Sequence, residues 1–541
     1  MFFIKKIVYL KFKFYFLSMD VKYGGEMSNK KNFNLIINSW IPVVNLKSNF
    51  EKISLMQALC EGEKYSDLAV RPHERVALMR LLICIAHAAL KGSEDYEIWK
   101  EIPEALPDAA KTYLEKWKDS FWLFHPEKPF LQIAALDYAD YSPVTKLDFA
   151  CATGNNTTLF DHLGNTTEIR SVSLDKIGLD LLTYQNFSPG GGLSITQWGN
   201  IKTKQVGNPD APCVAASMLH TYLRGKNLLE SVWLNTSKLD DIRLRWNPFQ
   251  IGKPYWEAMP QSPDDQINIS NATETYLGRL VPLSRWIKLI SEHEMMCGNG
   301  FKYNGFSGGF KEEPSATIVV KKIKNKEDRF LLSYQSSRLI WRDLSAIAQK
   351  RKLSDQHYGP LCIENIYEQS CDLQVLAISR NQATILDSVD SVLHCPVQLL
   401  SEEGQRIYSE MVFLAEKRDI QLGTAVNIYR LNYDGGWEGR LKNAGPSKGE
   451  ILFKLKYQAS IHYWPLLENH KHLLTQAVEA LDDPDRVDLI EKEWNSKVFQ
   501  AALESYRLAC EQESPRGMRA FALGWKVLTG KDKITTDKED E

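Results

Sequence analysis

The chain has no cysteine pair at metal-binding or redox spacing. Its nine cysteines, Cys60, Cys84, Cys151, Cys213, Cys297, Cys362, Cys371, Cys395 and Cys510, stand singly, with no CxxC and no Cys/His cluster. That pattern argues against a structural zinc site or a disulfide framework, and for free, mostly buried thiols in a reducing cytoplasm. Common catalytic signatures are missing too: there is no Walker A loop, GxSxG or HExxH, and no GxGxxG after a strand. No apolar run reaches membrane-spanning length. The apolar, basic stretch from Met1 to Ser18 is interrupted by Lys5, Lys6, Lys11 and Lys13, and no small-residue cleavage site follows it. Met19 and Met27 offer alternative starts, so residues 1–27 read as an over-long start or a disordered extension. Net charge is small as well: 66 Lys and Arg against 68 Asp and Glu leave −2, which excludes the basic footprint usual for a free nucleic-acid binder.

What is present supports large cores. Apolar residues make up 44% of 541 residues and aromatics 11%, enough for two or more folded domains. Charge is unevenly spread. From Gly298 to Gln356 there are twelve Lys and Arg against six Asp and Glu, a local basic excess that suits a subunit touching nucleic acid at one place. Three short clusters carry the chemistry: Ser188-Pro189-Gly190-Gly191-Gly192, the segment Phe301 to Lys311, and Ser379-Arg380-Asn381-Gln382. Glycines let a backbone approach another molecule closely. A loop lysine suits a phosphate or a base edge, and an amide donates and accepts at once.

Patterning predicts a strand from Asn34 to Val44 broken at Pro42, a short helix at Leu55–Cys60, and a strong helix from Arg71 to Leu90. His73 and His87 on that helix read as packing or surface residues rather than ligands. Phe121 to Leu131 reads as core. Cys151–Gly164 is a loop by composition, whose Leu159 and Phe160 are either anchors or tips meant for a partner. Helices are expected from Ser173 to Leu182 and from Cys213 to Leu229, and a hairpin from Thr317–Lys322 and Arg329–Tyr334 around a charged link. A strand at Leu373–Ile378 runs straight into the Arg380 cluster. After about Ser391 the texture becomes helical. Helices are expected at Glu402–Lys417, from a capping box at Ser447-Lys448-Gly449-Glu450 to a stop at Pro465, from Asp483-Pro484-Asp485 through Tyr506, and from Pro515 to about Gly530. His462, His470 and His472 read as a surface group. Asp482, Asp483 and Asp485 suit a helix N-terminus. The fold class is therefore α+β. A large mixed N-terminal domain with small β-sheets and irregular loops (28–392) precedes an antiparallel four-helix bundle (393–530) and a disordered tail (531–541). No constellation suggests catalysis, so the residues point to a binding protein.

The run Leu35-Ile36-Ile37-Asn38-Ser39-Trp40-Ile41-Pro42-Val43 resembles the large subunit (CasA) family of the type I-E CRISPR surveillance complex, Cascade. Gly154-Asn155-Asn156 leading to Leu159-Phe160-Asp161 is similar to that family's L1 loop, Gly190-Gly191-Gly192 to its glycine loop, and Arg380-Asn381-Gln382-Ala383 to its glutamine-wedge turn. The resemblance covers Phe33 to about Lys531. It implies a non-catalytic subunit that finds the protospacer-adjacent motif (PAM) on double-stranded DNA and begins strand separation; some members of the family carry a zinc-binding cysteine cluster, but Cys297 stands alone here, so no metal or cofactor is expected. Gly190, Gly191 and Gly192 would set backbone against the minor groove, whose pattern is degenerate. Gln382, with Asn381 beside it, would be the wedge. Lys321, Lys322 and Arg380 would hold the DNA backbone, which positions without specifying. The lysine finger would be Lys311, with Lys302 as the alternative. Asn156, Leu159, Phe160 and Asp161 would form the L1 loop, with Phe160 preferred over Leu159 as its aromatic tip. The implied partners are crRNA, the backbone and paired small subunits of Cascade, and a helicase–nuclease recruited after the R-loop forms. Guide pairing would read the protospacer. The alternative function is a structural adaptor that docks the nuclease without reading DNA.

Overall fold

The computed structural model describes residues 33–148, 171–193, 195–203, 206–245, 250–303, 313–323, 326–351, 357–381, 384–433 and 458–530. The first sheet has the order Phe50–Ile53, Ile41–Asn45, Tyr65–Leu68, all antiparallel. Its middle strand starts later than the apolar run suggests, because asparagines divert the chain. Asn34 Oδ1 accepts the Ile36 N–H at 2.9 Å and Asn38 Oδ1 accepts the Asn34 N–H at 2.8 Å, turns that short polar side chains favour. Pro42 lies inside the strand, and its carbonyl accepts the Ala69 N–H at 2.9 Å just past the end of the neighbouring ladder. The missing proline N–H therefore costs a terminal bond rather than a central one.

Leu55–Cys60 is helical as expected, capped by Ser54 and Gln57. The helix Pro72–Leu90 is buried all round from His73 to His87, which makes it the axis of the N-terminal core rather than an amphipathic surface helix. His73 and His87 pack as rings, edge-on to Phe187 at 6.2 Å and to Tyr276 at 5.3 Å. Burial pushes both down, to about 3 and about 4, so both are neutral packing groups. Phe121, Leu123, Phe130 and Leu131 are buried in the same core. The helix expected from Ser173 runs Leu174–Phe187.

The expected helix from Cys213 to Leu229 is not formed. A 3-10 turn at Pro212–Ser217 is followed by a strand, His220–Arg224, and then a helix, Leu228–Leu234. Ala216 and Ser217 take left-handed φ of 52° and 50°, which no helix tolerates. His220 to Leu223 are buried, and a buried strand has no alternation to separate it from a buried helix. The strand pairs with Cys371–Asn381, which pairs in turn with Thr384–Cys395. This three-stranded sheet divides two hydrophobic cores. Leu376 and Ile378 face the N-terminal core, while Leu373, Val375 and Ala377 face the C-terminal helices, as the two-residue side-chain period requires. The strand of the sequence reading is therefore longer than Leu373–Ile378, and helical texture does not begin at Ser391, because the partner strand continues to Cys395.

The basic hairpin is present with a shifted second strand, Ile318–Ile323 against Lys326–Leu331. Lys321 stands at the position facing Asp328, and Lys322 faces Glu327. The ladder reaches Ile323 and Lys326, so the described part of the charged link belongs to the strands.

The C-terminal region is helical: Glu402–Tyr433, 458–468, His472–Glu479, Pro484–Ala509 and Pro515–Thr529. The first is longer than the expected Glu402–Lys417. The capping box at Ser447 lies outside the described residues. Pro465 does not stop its helix, since the carbonyl it would leave unpaired, that of Ile461, sits on an exposed face where water can bond it. Asp483 caps the next helix through the Arg486 N–H at 3.2 Å. Trp494 donates to Met411 O at 2.9 Å, and the Tyr463 hydroxyl to Ala415 O at 2.8 Å, so these buried aromatic side chains are core whose polar ends find partners. Gly524 allows close helix contact: a Cβ there would lie 2.0 Å from the Tyr506 hydroxyl and 2.5 Å from Ala425 O.

Candidate nucleic-acid interface

Gly191–Leu193 forms a short antiparallel ladder with Val206–Asn208, pairing Gly191 with Asn208 and Gly192 with Gly207. Two observations set this glycine hairpin apart. Gly191 is exposed and its φ is not left-handed, so no turn demands a glycine there. A Cβ built on Gly191 or on Gly207 would meet nothing within 4 Å. Internal packing does not require these glycines, whereas the approach of another molecule would.

The legs of this hairpin are firmly held. Arg285 donates to Pro189 O at 2.7 Å and to Pro209 O at 3.2 Å. The Ala211 N–H donates to Ser188 O at 3.0 Å, and the Gly190 N–H to Asp210 Oδ1 at 2.6 Å. Asp210 Oδ2 also accepts the Arg380 guanidinium, and the Arg380 N–H donates to Ser217 Oγ at 3.3 Å. Ser217 O accepts the Tyr334 N–H at 2.9 Å, and the Leu219 N–H donates to Leu332 O at 2.9 Å. The segment 209–220 thus joins the glycine hairpin, the end of the Cys371–Cys395 hairpin and the chain just beyond the lysine hairpin.

Arg380 and Asn381 end the long strand, with Asn381 facing Thr384. Gln382 lies outside the described residues, between those two positions. Lys321 and Lys322 are placed by the backbone register of their hairpin. Lys311 lies outside the described residues, while Lys302 is exposed between buried Phe301 and Tyr303. Both flanks of segment 304–312 are anchored. The Tyr303 hydroxyl accepts the Leu283 N–H at 2.8 Å, and Glu313 receives Arg80 at 2.8 Å and Arg279 at 2.5 Å. Burial would raise the Glu313 carboxyl, but these two guanidiniums override it and hold it at about 2.

Asn156, Leu159, Phe160 and Asp161 also lie outside the described residues. The chain leading to them ends in a buried ionic cluster: Asp148 meets Arg71 at 3.0 Å and Lys176 at 2.9 Å, and Lys176 meets Asp180 at 3.0 Å. Burial pushes Asp180 up to about 7 despite Lys176, while Arg71 and Lys176 outweigh burial at Asp148 and hold it at about 2. Sequence reasoning missed Asp210, Arg285 and Gly207. Asp210 sits in a polar stretch that hides a strand, and only the pairing of Gly192 with Gly207 makes it visible.

The glycine hairpin offers close backbone approach, and segment 209–220 ties it to the chain just beyond the lysine hairpin. Among the described residues no group of His, Cys, Asp or Glu could hold a metal ion, and no helix is long and apolar enough to cross a membrane. Solved structures that share this mixed α+β fold include CRISPR-associated proteins. CasA of Thermus thermophilus superimposes with a TM-score of 0.71 at 23% identity, over 92% of this chain and 98% of that one. A chain of a CRISPR RNA-guided surveillance complex gives 0.64 at 16% identity, over 92% and 99%. The family itself follows from sequence: the CRISPR-associated protein Cse1 family model matches residues 34–505, and this chain belongs to that family. A CasA/Cse1 protein of Thermus thermophilus is 29% identical over 415 residues, 72% of this chain and 76% of its own.

Proposed function

We propose that this chain is the non-catalytic large subunit of a type I-E Cascade complex, working in the cytoplasm, where it reads the PAM on double-stranded DNA and starts strand separation. The observation that carries the reading is the open glycine hairpin, tied through Asp210 to the hairpin that leads into Gln382. Gly190, Gly191 and Gly192 set backbone against the minor groove. Gln382, with Asn381 beside it, wedges into the first base pair, and contacts to the DNA backbone offset an unstacking cost of about a few kcal/mol. Lys321 and Lys322 hold phosphates. Arg380 is only 14% exposed and engaged by Asp210, which leaves it little available for that task. Lys311 or Lys302 reaches a base edge, and the L1 loop at Asn156, Leu159, Phe160 and Asp161 meets the rest of the complex.

The DNA-reading part, expected to end at residue 392, runs on to the strand end at Cys395, and the helices from Glu402 to Thr529 form the proposed four-helix bundle, with 458–468 and His472–Glu479 as one interrupted arm. The partners are crRNA with its backbone and small subunits, and the helicase–nuclease; the likeness to a surveillance-complex chain supports the first of these. In the assembled complex, Gln382→Ala should leave assembly intact and slow R-loop formation on linear duplex. Equal loss on pre-opened DNA rules out the wedge, and PAM preference that survives replacement of the glycine loop favours a nuclease-docking adaptor.

A further inference from the structure

Asp210 and Arg380 lie 170 residues apart in sequence, yet one carboxylate joins the two hairpins they serve. Asp210 Oδ1 caps the Gly190 N–H at 2.6 Å while Oδ2 takes the Arg380 guanidinium. The two side chains are 34% and 14% exposed, and partial shielding strengthens a charge-assisted bond. Arg285 locks both legs of the glycine hairpin from the side, and Ser217 fixes the Arg380 backbone at 3.3 Å. With the legs held at Pro189 and Pro209, Asp210 is a side chain that bonds both the glycine hairpin, at Gly190, and the end of the long hairpin, at Arg380.

We propose that Asp210 is a positioning residue that couples groove approach to strand opening. It holds the glycine hairpin and the end of the long hairpin in one fixed relation, so that a duplex seated on the first is presented to the second. It acts through Gly190 and Arg380 without touching DNA, and it assigns Arg380 to this pair rather than to a phosphate. The inference rests on the DNA-opening reading above.

The charge of Asp210 makes the test sharp. An acid beside a DNA surface repels phosphate, so a neutral amide there strengthens binding if electrostatics alone matters and slows opening if coupling matters. The complete complex carrying Asp210→Asn, Arg380→Gln or both is mixed with PAM duplex bearing a fluorescent base analogue beside the PAM, and with the same DNA pre-opened. Each single change is expected to slow opening of paired duplex about tenfold. The double change should be no worse than either single, as for two halves of one interaction, and pre-opened DNA should respond within about twofold of the unmodified complex. Arg380→Lys, which keeps the charge, should retain most of the rate.

Opening that is unchanged or faster in Asp210→Asn overturns the inference. So do additive losses with a flattened salt dependence in Arg380→Gln, which would put Arg380 on a phosphate, and equal losses on pre-opened DNA. Gln382→Ala measured in parallel separates the two ideas. If it slows opening and Asp210→Asn does not, only the coupling fails; if it has no effect, the strand-splitting reading fails by itself.

Discussion

Replacing Gly191 by alanine separates a glycine needed for folding from one needed for contact. The new Cβ meets nothing within 4 Å, and the φ of Gly191 is not left-handed, so the folded state has no clash to absorb. Gly-to-Ala at a compatible position lowers the entropy of the unfolded chain, and stability should hold or rise by about 0.4–1 kcal/mol. Gly524→Ala is the internal contrast. Its Cβ would sit 2.0 Å from the Tyr506 hydroxyl and 2.5 Å from Ala425 O, and forced overpacking of this kind costs about 1–3 kcal/mol. Thermal melts of the two purified variants should therefore move in opposite directions or not at all for Gly191. DNA opening should reverse the ranking. A methyl group on the open glycine face holds the groove away, and PAM-dependent R-loop formation should fall about tenfold, whereas correctly folded Gly524→Ala complex opens DNA normally. If Gly191→Ala melts as low as Gly524→Ala, the glycine is structural after all. If it melts normally and opens DNA at the full rate, the open face is not where DNA approaches.

Lys321→Ala with Lys322→Ala should weaken duplex binding evenly across PAM sequences and reduce the slope of log affinity against log salt by about 1.8; a PAM-selective loss would contradict a phosphate role. Acid should destabilise the chain below about pH 6.5. His73, His87 and His220 are held down by burial to about 3, 4 and 4, so between about pH 4 and 6.5 the unfolded chain takes up three protons that the folded chain refuses. Asp180, pushed up to about 7, already holds a proton when folded over much of that window and subtracts one. Two net protons correspond to a stability slope of about 3 kcal/mol per pH unit, rising with pH. Melting temperatures that stay flat or rise from about pH 6.5 to about pH 5 would refute this balance.

Several elements were legible from local chemistry alone. Ser54 and Gln57 announce the helix at Leu55–Cys60, Pro72 opens the next long helix, and Asp483-Pro484 opens another, because caps and proline act within one turn of the chain. The glycine and amide clusters were also in plain sight, since such clusters keep their order whatever the fold does around them. Other features needed the tertiary structure. His220–Arg224 is held as a strand by its pairing with Cys371–Asn381 and by burial from His220 to Leu223, and the mixed run His-Thr-Tyr-Leu-Arg carries no sign of that. Pro465 sits within a helix because the carbonyl it frees faces water. Most of all, the sequence held the glycine, lysine and amide groups proposed to touch DNA only as single clusters lying far apart. Only the folded chain decided that segment 209–220 brings two of them together, that Gly191 is free of internal duty, and that Asp210 stands between Gly190 and Arg380. A carboxylate in a polar stretch has no partner until the chain has closed the distance of 170 residues, and sequence holds no record of that distance.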